Sequence, residues 1–420
     1  MFDWGPVRAA FFAGEYSRCR ELLQGAPSPE SVIWVARMEI RANRNPEAIA
    51  LLLNMSPRDE RSAAERDIWL ASAYCESDRA LTHQLLDRAL PVLRPYAEPY
   101  YRGLHTRSLT HLLSSEFDAS LRCIEELLES PYAIDRAQAY SQRSWIAAKQ
   151  EDIRAQLRYL QLSLDQHLQC DPIDQYAFLH MLVTLGSLCR EVPTDGVIDR
   201  LRAAFGYARK TEITDFSWFT MLRVLGWIDA LQGDEVAAVR RFREAEACAP
   251  SAFWRVFCLV DRAYLSDAMD RQAAARETLA EADAQAWSLD WSSTHQEERI
   301  ILVTLAQLYA SKDPARAQAY LAKFRSLRTE MHGRIGWLHD RRTRALQLSA
   351  HGTALLHLGD REAGIAMLSE AWEIFTAFKY DWRAALAALT LFEATTDDLW
   401  RERARKQIAP WPDSWIARRV

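Results

Sequence analysis

A pattern that returns every few dozen residues constrains this chain more than any single residue does. A unit of that size cannot bury its own apolar face and must stack on its neighbours. The clearest copy spans residues 219–252, FTMLRVLGWIDALQGDEVAAVRRFREAEACAPSA. Leu225-Gly226 sits on a first helical stretch, Gly233-Asp234 marks a turn, and Ala238, Phe242 and Ala245 follow on a second stretch closed by Pro250. Small residues at Gly226 and Ala238 are expected to face one another where two antiparallel helices approach closely, with Phe242 filling the wedge beyond them.

The same grammar returns in residues 345–378, where Gly359-Asp360 turns and Gly364, Leu368 and Ala371 take the small, large and small positions after Gly352. At the start, Gly14-Glu15-Tyr16 turns into a stretch carrying Cys19 and Leu23, and Ser115-Glu116-Phe117-Asp118 does the same before Ser120, Ile124 and Leu127. Weaker turns fall near Asn43, Ser77, Gln150, Asp270 and Lys312, so that successive turns lie about 29 to 47 residues apart. Only 14 glycines and 15 prolines punctuate 420 residues, well under the roughly 12% of average usage. Ala, Leu, Arg, Glu and Gln dominate, the residues that lose least side-chain freedom in a helix. The expectation is an all-α chain of about ten helical hairpins over residues 1–409. Residues 410–420, with Trp411 and Trp415, are read as a cap or linker. Residues 171–215 match worst, because Pro172, Pro193 and Gly196 interrupt them.

With Leu225-Gly226, Ala238, Phe242, Ala245 and Pro250 at its spacing, the 219–252 unit resembles the tetratricopeptide repeat family. It departs from the family at Leu222 and Asp229, which stand where the pattern has Trp and Tyr. The resemblance implies a right-handed superhelical solenoid that binds partners. Over most of its length the chain also resembles the helical-repeat sensor segment of bacterial LuxR-type, MalT-like transcriptional regulators, on the phrases VRAAFFAGEYSRCRELL near the start and RKQIAPWPDSWIARRV at the end. Those regulators carry a helix-turn-helix domain after the repeats, and no such segment follows Trp415 in this sequence.

Charge and cysteine usage narrow the class further. A net charge of -5, from 52 Lys and Arg against 57 Asp and Glu, argues against a phosphate-covering surface. Seven scattered cysteines without a CxxC pair read as free thiols in a reducing compartment. Neither a signal-peptide core nor an 18-residue apolar stretch is present, so a cytoplasmic protein without a membrane span is expected.

Motifs with a stated mechanism are missing: the sequence has no HExxH, Walker loop, GxGxxG, GxSxG or paired CxxC. No catalytic residue, cofactor or metal is expected, and the ten histidines include no i, i+4 pair. A basic stretch from Lys323 to Arg344, including Arg334, Arg341, Arg342 and Arg344, has two readings: an anion-binding surface, or a solvated helix face with inter-repeat salt bridges. Trp69, Trp145, Trp254 and Trp372 fall on apolar stripes and read as core. In solenoids of the resembled family the first helix of each hairpin lines a concave groove. Carried onto this chain, that geometry points to Arg102, His105, Tyr140, Arg223, Trp227, Arg299 and Tyr309 as partner-binding residues, or else as contacts to the neighbouring hairpin. The functional expectation is a scaffold for a protein, peptide or small effector within a bacterial transcription-control system. A stand-alone adaptor, or more remotely an enzyme on a helical scaffold, are the alternatives, and a homo-oligomer is left open.

Overall fold

A computed structural model describes residues 3–24, 28–192, 194, 196–291, 296–327 and 336–420. Among the described residues there are 22 α-helices and no strand. The chain divides into two compact units, residues 1–185 with 201–215, and residues 186–200 with 216–420.

In the first unit the helices follow one another as α1 (Gly5–Ala13) with α2 (Tyr16–Gln24), α3 (Pro29–Arg41) with α4 (Asn45–Leu53), and α5 (Glu60–Tyr74) with α6 (Arg79–Leu93). They continue as α7 (Ala97–Leu113) with α8 (Phe117–Leu128) and α9 (Ala133–Lys149) with α10 (Ile153–His167). The poorly matched stretch holds α11 (Gln175–Glu191) and the short α12 (Val197–Phe205), an unequal pair after a cis Asp171-Pro172 bond. The second unit continues with α13 (Asp215–Leu231) and α14 (Glu235–Ala247), α15 (Ala252–Ala268) and α16 (Gln272–Trp287), and α17 (Gln296–Ala310) and α18 (Pro314–Ser326). It finishes with α19 (Gly336–His357) and α20 (Arg361–Ala377), α21 (Asp381–Thr395) and α22 (Asp398–Ile408), then a single 3₁₀ turn at Ala417–Arg419.

The hairpin turns are made by two adjacent residues with different duties. One adopts a left-handed backbone, as Glu151 (φ 57°), Gly233 (φ 82°) and Gly359 (φ 91°) do, ending the first helix. The next is an aspartate that starts the second helix: Asp152, Asp234 and Asp360 each accept from a backbone N–H three residues on, at Ala155, Ala237 and Ala363. Between the helices the small and large positions interlock. A side chain at Gly226 would sit 3.2 Å from the ring of Phe242, so it is Phe242, more than Ala238, that requires glycine there. Ala238, Phe242 and Ala245 are fully buried, as are Leu368 and Ala371 in the other well-matched repeat.

Each unit also brings its early and late segments together. In the first, the hydroxyl and backbone N–H of Ser17 donate to the Glu212 carboxylate, 195 residues away, at 2.9 and 3.0 Å. In the second, Arg383 reaches Glu191, 192 residues away, at 2.8 Å, and Arg418 reaches Glu235 at 3.1 Å. There the left-handed Gly233 lies so close to Asp413 that a Cβ would stand 2.7 Å from its carbonyl oxygen. Trp411, Trp415 and Ile416 are buried. All seven cysteines are free thiols. No helix among the described residues is long and apolar enough to cross a membrane.

Candidate ligand-binding face

Three consecutive hairpins of the first unit present arginine or tryptophan from their first helices. On α3 the run WVARMEIR places Trp34, Arg37 and Arg41 three and four residues apart, hence on one face. Trp69 comes from α5, and Arg102 and His105 from α7. The Arg37 guanidinium lies 3.9 Å from the ring centre of Trp34, 4.5 Å from Phe11 and 4.8 Å from Trp69. Arg102 lies 5.7 Å from the same Trp69, so one indole meets two cations.

The two neighbouring arginines of α3 differ in their partners. Arg41 contacts Asp174 directly and donates to the Tyr16 hydroxyl at 3.3 Å. Arg37 is 7% exposed, has a buried Nε without an acceptor, and pairs with no carboxylate among the described residues. Aromatic faces supply its attraction instead. Burial, with Arg102 and Arg41 close by, holds its guanidinium well below the ordinary arginine value, against the more distant pull of Glu98 and Asp174.

Beside these cations the face becomes neutral and hydrogen bonding. His105 is hydrogen-bonded to Gln138 of α9, and burial together with Arg102 pushes its imidazole down to about 3. Its backbone carbonyl accepts from Gln142 at 3.1 Å. Tyr140 is half-buried on the same helix. Asp135, buried and accepting from Ser130 at 2.7 Å, has its carboxyl raised by burial.

Residues at equivalent register in the second unit are occupied by their own neighbours. Arg223 binds Asp261 of α15 through Nε at 2.9 Å and lies 3.8 Å from the Phe257 ring centre. Trp227 stacks on Trp382 of α21, at 5.6 Å and 24°, and meets Phe242 edge-on. Arg299 donates to the carbonyl of Leu327 at 2.9 Å, and Tyr309 stacks on Tyr320 with its phenol pushed up to about 12, chiefly by burial. Arg223 and Trp227 share a face, as their spacing requires, and both meet α15, Trp227 through Tyr264 at 6.1 Å.

The basic stretch is divided in the same way. Arg344 pairs with Glu370 at 2.5 Å, and Arg341 lies 5.4 Å from the Phe378 ring centre. Arg342 lies 5.2 Å from both Phe378 and Tyr380, with Nε and Nη2 buried and without acceptors. Arg334 lies outside the described residues.

The features the sequence reading missed are Arg37 and the contact of Trp69 with two guanidiniums. Trp69 lies on an apolar stripe and packs against the core, while the half-buried side of its ring faces both guanidiniums. The signal available was the Trp34, Arg37, Arg41 spacing itself, an aromatic and two cations on one helical face.

No protein-family model matches this chain, and no curated protein matches it by sequence. Among solved structures it is similar to the APC/C hetero-tetramer Cut9-Hcn1, at 11% identity and a TM-score of 0.26, over 96% of this chain and 95% of that one. The all-α hairpin class rests on the chain's own helices.

Proposed function

We propose that this chain is a binding scaffold without catalytic activity, and that the first-helix face of its first unit holds an anionic group of a protein, peptide or small effector between Arg37 and Arg102. The observation that carries this reading is the Arg37 guanidinium, desolvated against three aromatic rings with no carboxylate of its own. A buried unpaired cation is costly, and a carboxylate or phosphate arriving at Arg102 and Arg37 offsets that cost with charge-assisted hydrogen bonds. Trp69 contacts both guanidiniums, and neutral His105 adds a polar edge without repelling a proton-bearing ligand.

The test is an array of random peptides, including phosphorylated ones, probed with the full chain and with Arg102→Ala. Arg102 is partly exposed, so its truncation leaves the core intact. Retained peptides are expected to be enriched in Asp, Glu or phosphoresidues, and R102A is expected to weaken them by about 1.5–3 kcal/mol. A retained set with no acidic bias, or equal affinity in R102A, overturns the reading.

A narrower placement, as the sensor part of a bacterial transcription-control system, is supported by the resemblance of the terminal phrases. It predicts no sequence-specific DNA binding by this chain, with any contact through the 323–344 stretch fading steeply with salt. Selection from random duplexes at physiological salt is the check. One enriched motif would make that stretch a DNA-reading surface.

A further inference from the structure

Elsewhere in the first unit, two histidines and a glutamate meet where one hairpin packs on the next. His83 comes from α6, His111 from the last turn of α7, and Glu116 from the position just before α8. The imidazole rings of His83 and His111 stand 4.8 Å apart at an angle of 42°. His111 Nδ1 lies 2.5 Å from Glu116 Oε2, and one donor atom from each of the three residues lies within 4.8 Å of the other two.

Backbone geometry fixes two of the three. The N–H of Glu116 donates to the His111 carbonyl at 2.9 Å and that of Ser115 to Leu112 at 3.1 Å, with Ser115 left-handed at φ 62°. This closes the end of α7 and holds residues 111 and 116 side by side. Glu116 occupies the N-cap position of α8 but its side chain makes no capping bond, so the carboxylate faces His111 instead. The nearby cation Arg107 is directly paired with Asp87. His83 engages the His111 ring and no other hydrogen-bonding group among the described residues.

We propose that His83, His111 and Glu116 form a binding site for a divalent transition-metal ion of the zinc class. Two neutral imidazole nitrogens and a carboxylate oxygen are the donors such ions favour over magnesium or calcium, and three protein ligands leave a fourth position for water. Bonds of about 2.0–2.1 Å put tetrahedral ligand atoms roughly 3.4 Å apart. Reaching that from the present spacing takes about 1 Å of side-chain movement, within the rotamer freedom of half-buried His83 and exposed Glu116. On binding, the His111–Glu116 contact gives way to a bond from each residue to the ion. The ion then ties α6 to the following α7–α8 turn and fixes the angle between two hairpins.

Cobalt(II) titrated into the metal-free full chain, followed by visible absorption and then displaced with zinc(II), tests this. One equivalent of tetrahedral or five-coordinate cobalt is expected, without a thiolate charge-transfer band. Affinity is expected to fall at least about 10-fold in His83→Ala, His111→Ala and Glu116→Gln. Zinc is expected to raise the melting temperature of the unsubstituted chain and not that of H83A. A thiolate band, which would assign the metal to the free cysteines, overturns the site, as does unchanged affinity in H83A and E116Q. Neither of those two side chains is buried, so they keep the test open should H111A fail to fold.

Discussion

In the second unit the buried carboxylate of Glu191 receives both Arg190 and Arg383, and Asp261 receives Arg223. In the first unit Arg41 has Asp174, but Arg37 and Arg102 share one indole and make no ion pair among the described residues. The hairpins are of one kind, and the difference is where the counter-charge comes from. A face whose arginines are neutralised within the fold has been made into structure. Under the proposed function, a face that keeps a desolvated cation takes its counter-charge from outside, which is the condition for recognising an anion. Arg342 is a guanidinium of the second unit that makes no ion pair among the described residues, and it lies over Phe378 and Tyr380 in the basic stretch.

The largest expected effect breaks the neutralised side. Glu191→Ala strands two half-buried cations, and removing one partner of a buried pair typically costs about 3–5 kcal/mol. Urea unfolding followed by segment-resolved hydrogen exchange is expected to show the loss in α15, α17 and α21, with the first unit unchanged. Equal loss in both units, or none, removes the distinction.

Acid is expected to act on the first unit before the second. Burial holds His167 down to about 4 and His105 down to about 3, so the unfolded chain takes up their protons first. Their contribution is therefore complete above about pH 6.5 and falls by roughly 1.4 kcal/mol per histidine per pH unit below it. Asp135, its carboxyl raised by burial, offsets part of this at the acid end. In the second unit burial pulls Glu191 upward, and Arg383 and Arg190 outweigh it, holding the carboxyl below its usual value. Its contribution is present above the ordinary carboxylate range and is lost only as pH falls through the lowered folded value. His351 in that unit is more exposed and its loss smaller. Exchange protection measured from pH 7 to pH 5 is expected to fall in α7, α9 and α10 while α15 and α17 hold.

The smallest effect has the opposite sign. Arg37→Met keeps an unbranched apolar stem and removes the charge, and is expected to stabilise the first unit by about 1–2 kcal/mol while abolishing anion capture. Thermal unfolding beside the peptide array reads both. A destabilised variant that still selects acidic peptides would place the binding cation elsewhere.

The hairpins were legible because each turn is local: a residue tolerant of left-handed backbone followed by an aspartate announces where one helix stops and the next begins. Gln150-Glu151-Asp152 reads more weakly than Gly359-Asp360, because its left-handed residue is a glutamate. Pairing across hairpins was not legible. Nothing in the sequence near Arg223 names Asp261, 38 residues on, or tells it apart from Arg37, which has no such acid. His83 and His111 escaped notice for the same reason, since they come from different hairpins and form no short-range spacing.

The Arg383–Glu191 contact, spanning 192 residues, and the seat of Asp413 on Gly233 bear on how such a chain can change over generations. Open repeat arrays tolerate gain or loss of a whole unit, because each repeat touches only its neighbours. Here a duplicated or deleted hairpin within 216–420 would carry residue 383 away from 191 and residue 413 away from 233. Copy number is thereby frozen, and variation is left to work on the length and wording of each repeat, which is where this chain departs most from a regular pattern.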